Sequence, residues 1–138
     1  MTAAEAYAAV RDALLAVTVN QRAKTDRIVY HAGEPELKPQ HDRVMTIVPI
    51  EHPRDFSRGG CNRKILKVDI TVSYVVEPTG EFRTRYLLDS DEISDAVHTL
   101  PRVSGIKGVE EELTSIDEFD GVAEVTRIVA VTYHDDPL

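Results

Sequence analysis

The sequence holds one cysteine, Cys61, and no tryptophan. A lone thiol excludes an internal disulfide and fits a reducing compartment. Five tyrosines and three phenylalanines are few for 138 residues, which argues against a stacking platform for single-stranded nucleic acid. No apolar run is long enough to cross a bilayer as a helix, and the first residues do not read as an export leader. Positive charge is scarce too: 16 Lys and Arg face 24 Asp and Glu, for a net charge of −8. That balance argues against general affinity for DNA, where phosphate attraction dominates binding.

Chemical motifs are also missing. The histidines, His31, His41, His52, His98 and His134, are scattered, with no pair at the four-residue helical spacing of a zinc site and no cysteine pair. Arg58-Gly59-Gly60-Cys61-Asn62-Arg63 places cations beside a thiol, which can make it reactive. A nucleophile also needs a positioned base and an anion-stabilising pocket, and the nearest histidine is His52, outside this stretch. The glycines lack the Walker spacing, so the loop is not a phosphate cradle. Acids are plentiful without forming a pair at a recognisable site. We therefore assign no catalytic, cofactor-binding or metal-ligating residue, and the expectation is a protein without enzyme activity.

What is present is a strong strand pattern. In Lys64 to Val76, Leu66, Val68, Ile70, Val72, Tyr74 and Val76 fall on one face, and Lys67, Asp69, Thr71 and Ser73 on the other. This is the period of a half-buried antiparallel strand. Thirteen residues at about 3.3 Å each span roughly 43 Å, more than the roughly 37 Å diameter of a compact chain of this length. Either the strand bends at a bulge or its hairpin projects as an arm.

Around it, Thr2 to Val17 reads as a helix, with Thr2 and Glu5 as a capping box and an Ala-rich apolar stripe at Ala3, Ala6, Val10, Leu14 and Val17. Arg27 to His31 is a short candidate strand, and Gly33 to Gln40, with two prolines, reads as loop. Arg43 to Ile50 is an apolar strand, and Pro49 near its end marks either a sheet edge or the strand terminus. Glu51 to Arg63 is a long hairpin loop. Phe82, Thr84 and Tyr86 alternate with Arg83 and Arg85, so Glu81 to Leu88 reads as a strand. Asp89 to Leu100 reads as a helix, capped by Asp89 with Glu92 and stopped by Pro101. Val109 to Ile116 and Val122 to Tyr133 read as a second antiparallel pair around the turn Asp117 to Gly121, and 134–138 as a loose tail. The expected fold is one α+β domain over 1–138: a mainly antiparallel sheet with two helices packed on one face and a long projecting β-hairpin.

Charge is distributed unevenly. Val109 to Glu124 contains Glu110, Glu111, Glu112, Asp117, Glu118, Asp120 and Glu124 and no cation. The stretch Glu51 to Lys64 holds Arg54, Arg58, Arg63 and Lys64 against Glu51 and Asp55, a net +2. In a head-to-tail ring, the basic loop of one subunit would meet the acidic strand of the next. The alternative reading of the acids is protective charge on an edge strand.

The order and size of these elements resemble the tail terminator proteins of long-tailed bacteriophages of the lambda type. An Ala/Leu helix leads into a sheet, a long hairpin follows, a capped helix crosses the sheet, and two last strands end in Val125-Thr126-Arg127-Ile128-Val129-Ala130-Val131-Thr132-Tyr133. The resemblance implies a non-enzymatic virion protein, assembled in the host cytoplasm. It would form a homohexameric ring that caps the tail tube and joins it to the head. Its partners would be copies of itself, the tail tube protein and a head-completion or neck protein, with DNA only as passing cargo and no membrane. The expected contact residues are Arg54, Arg58, Arg63, Lys64, Glu110, Glu111 and Glu112. Another phage neck protein, such as a head-closure factor or adaptor, is one alternative. A small ligand-binding or enzymatic α+β domain is another.

Overall fold

The computed structural model describes residues 1–20, 28–30, 43–55, 63–103 and 105–134. Within them two helices cover one face of a five-stranded sheet. The elements run α1 (Ala3–Asn20), β1 (Val29–Tyr30), β2 (Val44–Asp55), β3 (Arg63–Val75), α2 (Phe82–Val103), β4 (Ile106–Phe119) and β5 (Val122–His134). The sheet order is β1-β2-β3-β5-β4, with β1 parallel to β2 and all other pairs antiparallel. This is the expected α+β class.

Helix α1 starts as its capping box requires. The Glu5 amide donates to Thr2 Oγ1 at 3.2 Å, and the Thr2 amide donates to Glu5 Oε1 at 3.1 Å. Ala6, Val10 and Leu14 are buried against the sheet, and the Tyr7 hydroxyl donates to the carbonyl of Ile47 at 2.7 Å, tying α1 to β2. The N-terminal amine donates to the carbonyl of His134 at 3.2 Å, so the start of α1 lies at the end of β5.

The alternation in β3 is realised as expected. Leu66, Val68, Ile70, Val72 and Tyr74 are buried and sit opposite Val131, Val129, Arg127, Val125 and Ala123 of β5. These two strands and the two helices enclose the core. On the other face Thr71 and Ser73 are also buried, and Thr71 Oγ1 meets Thr126 Oγ1 at 3.2 Å.

Four expectations need correction. First, residues 82–88 are not a strand but the first two turns of α2. The Phe82–Tyr86 pair that suggested alternation is equally an i, i+4 helical pair, with ring centroids 6.3 Å apart. Second, Asp89 is therefore not a cap. It lies inside the helix and is buried. Third, β2 runs through Pro49 to Asp55, with register irregularities between Pro49 and Glu51 and between Glu51 and Arg54. Prolines and bulges of this kind suit a strand near a sheet edge. Fourth, a long projecting hairpin is not confirmed. β3 is paired along its whole length, from Arg63 opposite His134 to Val75 opposite Val122, so its thirteen residues lie within the sheet. The segment joining β2 to β3, 56–62, is outside the described residues.

The helix and strand ends also move. α2 continues past Pro101 to Val103, and β4 begins earlier and ends later than expected. Phe119 pairs directly with Val122, leaving a two-residue turn in which Asp120 and Gly121 have φ of 48° and 77°. Positive φ at both positions is the type I′ geometry that Asp-Gly favours.

Candidate functional site

The acidic run in β4 is divided by a bulge. A register shift between Glu111 and Leu113 leaves Glu112 without an opposite residue on β5. As a result, three consecutive glutamates meet different surroundings. Glu110 is exposed, opposite Ala130. Glu111 turns toward α2: its Oε2 accepts from Ser94 Oγ at 3.0 Å and lies 3.2 Å from His98 Nε2. Its Oε1 lies 3.0 Å from Arg127 Nε, close enough for attraction though not aligned for a hydrogen bond. Arg127 is buried in the face of β5 that meets the helices, and its Nη1 donates to the carbonyl of Ser90 at 3.2 Å. Glu112 instead reaches Lys67 Nζ of β3, at 2.9 Å.

Of the expected basic contact residues, Arg54, Arg63 and Lys64 lie at one end of the sheet, beside Asp55. Arg63 is exposed at the start of β3, opposite His134, and Lys64 is half-buried beside it, opposite Asp55 and Tyr133. The Arg54 backbone pairs with Ile65. Arg58 and Cys61 lie outside the described residues. Asp117, Glu118 and Asp120 are exposed at the other end, where β4 turns into β5. Asp117 lies opposite Glu124, which lies opposite Ser73. The ten residue steps from Arg63 to Ser73 along β3 separate the two charged ends by roughly 33 Å. The expected contact residues are thus not one cluster. The cations at 63 and 64 and the acids at 117–120 mark opposite ends, with Glu110 between them on the edge strand.

A second polar cluster joins β2, β3 and α2. Arg43 Nη2 donates to Asp89 Oδ1 at 2.6 Å and Arg43 Nε to Oδ2 at 3.2 Å, a two-point ion pair. The Tyr74 hydroxyl donates to the same Oδ2 at 2.7 Å. Arg43 is 6% exposed and Asp89 2%, so the pair is desolvated. Burial pushes the Tyr74 hydroxyl far above its ordinary value, and the charge of Asp89 and the hydrogen bond to it act in the same direction. Arg43 has φ of 54°, in the left-handed region that costs a non-glycine residue about 1–2 kcal/mol. This cluster ties the early turns of α2 to the sheet and is closed to solvent.

Among the described residues six large apolar side chains are exposed that sequence reasoning did not anticipate: Leu87 and Leu88 on α2, Ile116 and Phe119 on β4, and Val29 and Ile50 on β1 and β2. The first two were concealed by reading 81–88 as a strand. At helical period, Leu87 shares a face with Ser94 and His98, the side that meets Glu111 of β4. Among the described residues no group of three or more His, Cys, Asp or Glu is placed to hold a metal ion. No helix of the described residues is long and apolar enough to cross a membrane. No protein-family model matches the chain, and no curated protein matches it.

Proposed function

We propose that this chain is a non-enzymatic structural protein of a phage virion, of the tail terminator kind. Its copies close into a ring, a hexamer by the family's pattern, that caps the tail tube and joins it to a head-completion or neck protein. The single observation that carries the reading is the separation of two charged groups along the sheet: Arg63 and Lys64 at one end, and the exposed Asp117, Glu118 and Asp120 at the other, roughly 33 Å apart. Two unlike patches on one subunit are what a head-to-tail ring requires. The acids at 110 and 117–120 serve either as the contact with the next subunit or as the lining of the ring, where like charge lets DNA pass without adhering.

The test is electron microscopy of the protein mixed with its tail tubes. Rings seated on tube ends are the expected result, and tubes that continue to grow uncapped refute the reading. Charge reversal is best made at Glu110, which is exposed, because Glu111 and Glu112 also hold α2 and β3 in place. Normal assembly and infectivity after Glu110→Lys would remove Glu110 from both roles.

A further inference from the structure

β4 is an edge strand with an open half. Natural edges are blunted by proline, lysine, bulges or covering segments. β2 follows that rule, with Pro49, Pro53 and two irregularities. In β4 both irregularities fall early, between Ile106 and Gly108 and between Glu111 and Leu113. From Leu113 to Phe119 the strand keeps unbroken register with β5 and contains no proline and no lysine. Among the described residues no strand pairs with its outer side.

The neighbouring face of α2 is open as well. Arg83, Leu87 and Asp91 follow one another at four-residue steps and are exposed. They continue the stripe of Ser94 and His98 that meets Glu111. Leu87 precedes the midpoint of Ser94 and His98 by about nine residues, roughly 13 Å along α2. Ile116 lies four pairing steps beyond Glu111, about 13 Å along β4, on the helix-facing side and 43% exposed. Tyr86 packs on Tyr74, which is level with Glu118 through Ala123, so both offsets run toward the β4–β5 turn. Leu87 and Ile116 therefore lie alongside each other.

We infer that two copies of this chain associate β4 to β4, antiparallel, about a two-fold axis at Ile116. Each edge is the same open segment, so each supplies the outward backbone groups that the other needs. A two-fold axis normal to the sheet keeps every side chain on its own face, so the strands pair around one residue. Centred on Ile116, the pairing uses the whole open half and sets no acid opposite an acid: Asp117 meets Ser115, Glu118 meets Thr114 and Phe119 meets Leu113 of the second copy. Centring on Asp117 would oppose that acid to itself, and centring on Ser115 would bring Glu118 to Glu112.

The helices fit the same axis. α2 touches β4 through Glu111 and β5 through Arg127 and Ser90, so it lies over the gap between those strands. Strands paired about 4.8 Å apart then hold the two α2 helices about 10 Å apart, an ordinary packing distance. Leu87 meets its own copy at the axis, and Arg83 of each copy meets Asp91 of the other, one helical turn to either side. The contact is isologous and closes at two copies. It makes no use of the Arg63 end and does not rest on the ring reading.

The experiment measures the mass of the whole chain by sedimentation at up to about millimolar concentration, with far-UV circular dichroism checking the fold of each variant. The unmodified protein should form a dimer. Leu87→Lys sets two cations at the axis, and Arg83→Asp sets an acid against Asp91; each should weaken association at least roughly tenfold. Adding Asp91→Arg to Arg83→Asp exchanges the charges and should restore the dimer, which damage to the fold would not. In a Cys61→Ser chain treated with oxidised glutathione, Ile116→Cys should give a covalent dimer, because the two copies of this position face each other within disulfide reach. Phe119→Cys should not, because its two copies lie about 20 Å apart. A protein that stays monomeric, a Leu87→Lys or Arg83→Asp variant that keeps the parental mass, an exchange that fails to restore it, or equal cross-linking at 116 and 119 overturns the inference. A larger assembly that keeps its mass in these variants removes the two-fold contact and leaves the ring reading standing. A dimer that obeys the pattern but never caps tail tubes does the reverse.

Discussion

Replacing Asp89 by alanine tests the buried cluster most severely. The substitution leaves the Arg43 guanidinium in a desolvated position without its two-point partner, and leaves the Tyr74 hydroxyl without its acceptor. Removing one member of a buried ion pair costs about 3–5 kcal/mol, because the remaining charge stays buried. A small domain has about 5–15 kcal/mol in total, so Asp89→Ala removes a large share of it. With a urea slope of about 1–3 kcal/mol per molar, the midpoint of denaturation should fall by roughly 2 M. The informative comparison adds Arg43→Met and the double variant. If the cost comes from breaking this ion pair, the double variant should be no worse than either single one, and the interaction energy should exceed about 3 kcal/mol. Single-variant losses that simply add, or a loss below about 1 kcal/mol for Asp89→Ala, would refute the idea that the pair fastens α2 to the sheet. Far-UV circular dichroism followed through urea titration measures all three.

Three further outcomes are expected. Below pH 10 the Tyr74 hydroxyl keeps its proton in both folded and unfolded chains; above it the unfolded phenol ionises while the buried one does not. Stability should therefore fall by about 1.4 kcal/mol per pH unit above pH 10 from this group alone, and Tyr74→Phe should flatten that slope in urea melts at pH 10 to 11. Thr2→Ala removes the hydroxyl that accepts from the Glu5 amide and should cost about 1 kcal/mol, read as a lower thermal midpoint. Gly121→Ala should cost about 1–2 kcal/mol through backbone strain alone, since φ is 77° and no atom lies within 4 Å of the added carbon; no loss in a urea melt would contradict the type I′ turn.

The elements legible in the sequence were those whose signal is local and redundant. α1 combined a capping box with an apolar stripe, and β3 repeated its alternation over thirteen residues. The start of α2 reads as a strand because Phe82, Thr84 and Tyr86 show only three alternating positions, too few to separate a period of 2 from one of 3.6. Asp89 looked like a cap because Asp is common there. Its true partner, Arg43, is 46 residues away, and only the tertiary fold brings them together. The charge asymmetry of the candidate surface was visible in composition. The splitting of Glu110, Glu111 and Glu112 was not, because it depends on a bulge in β4 that sequence alone does not mark.

The strand order also has a kinetic consequence. β2 with β3, and β4 with β5, are each neighbours in the chain, while the central β3–β5 ladder joins residues remote from one another. The sheet is thus two locally assembled halves zipped along a single seam, and that late, nonlocal step should limit the folding rate. Cutting the backbone in the exposed Pro78–Thr79 turn would leave each half with its own helix and its own hairpin. Mixed fragments should then recombine into the native sheet at a rate set by their concentration.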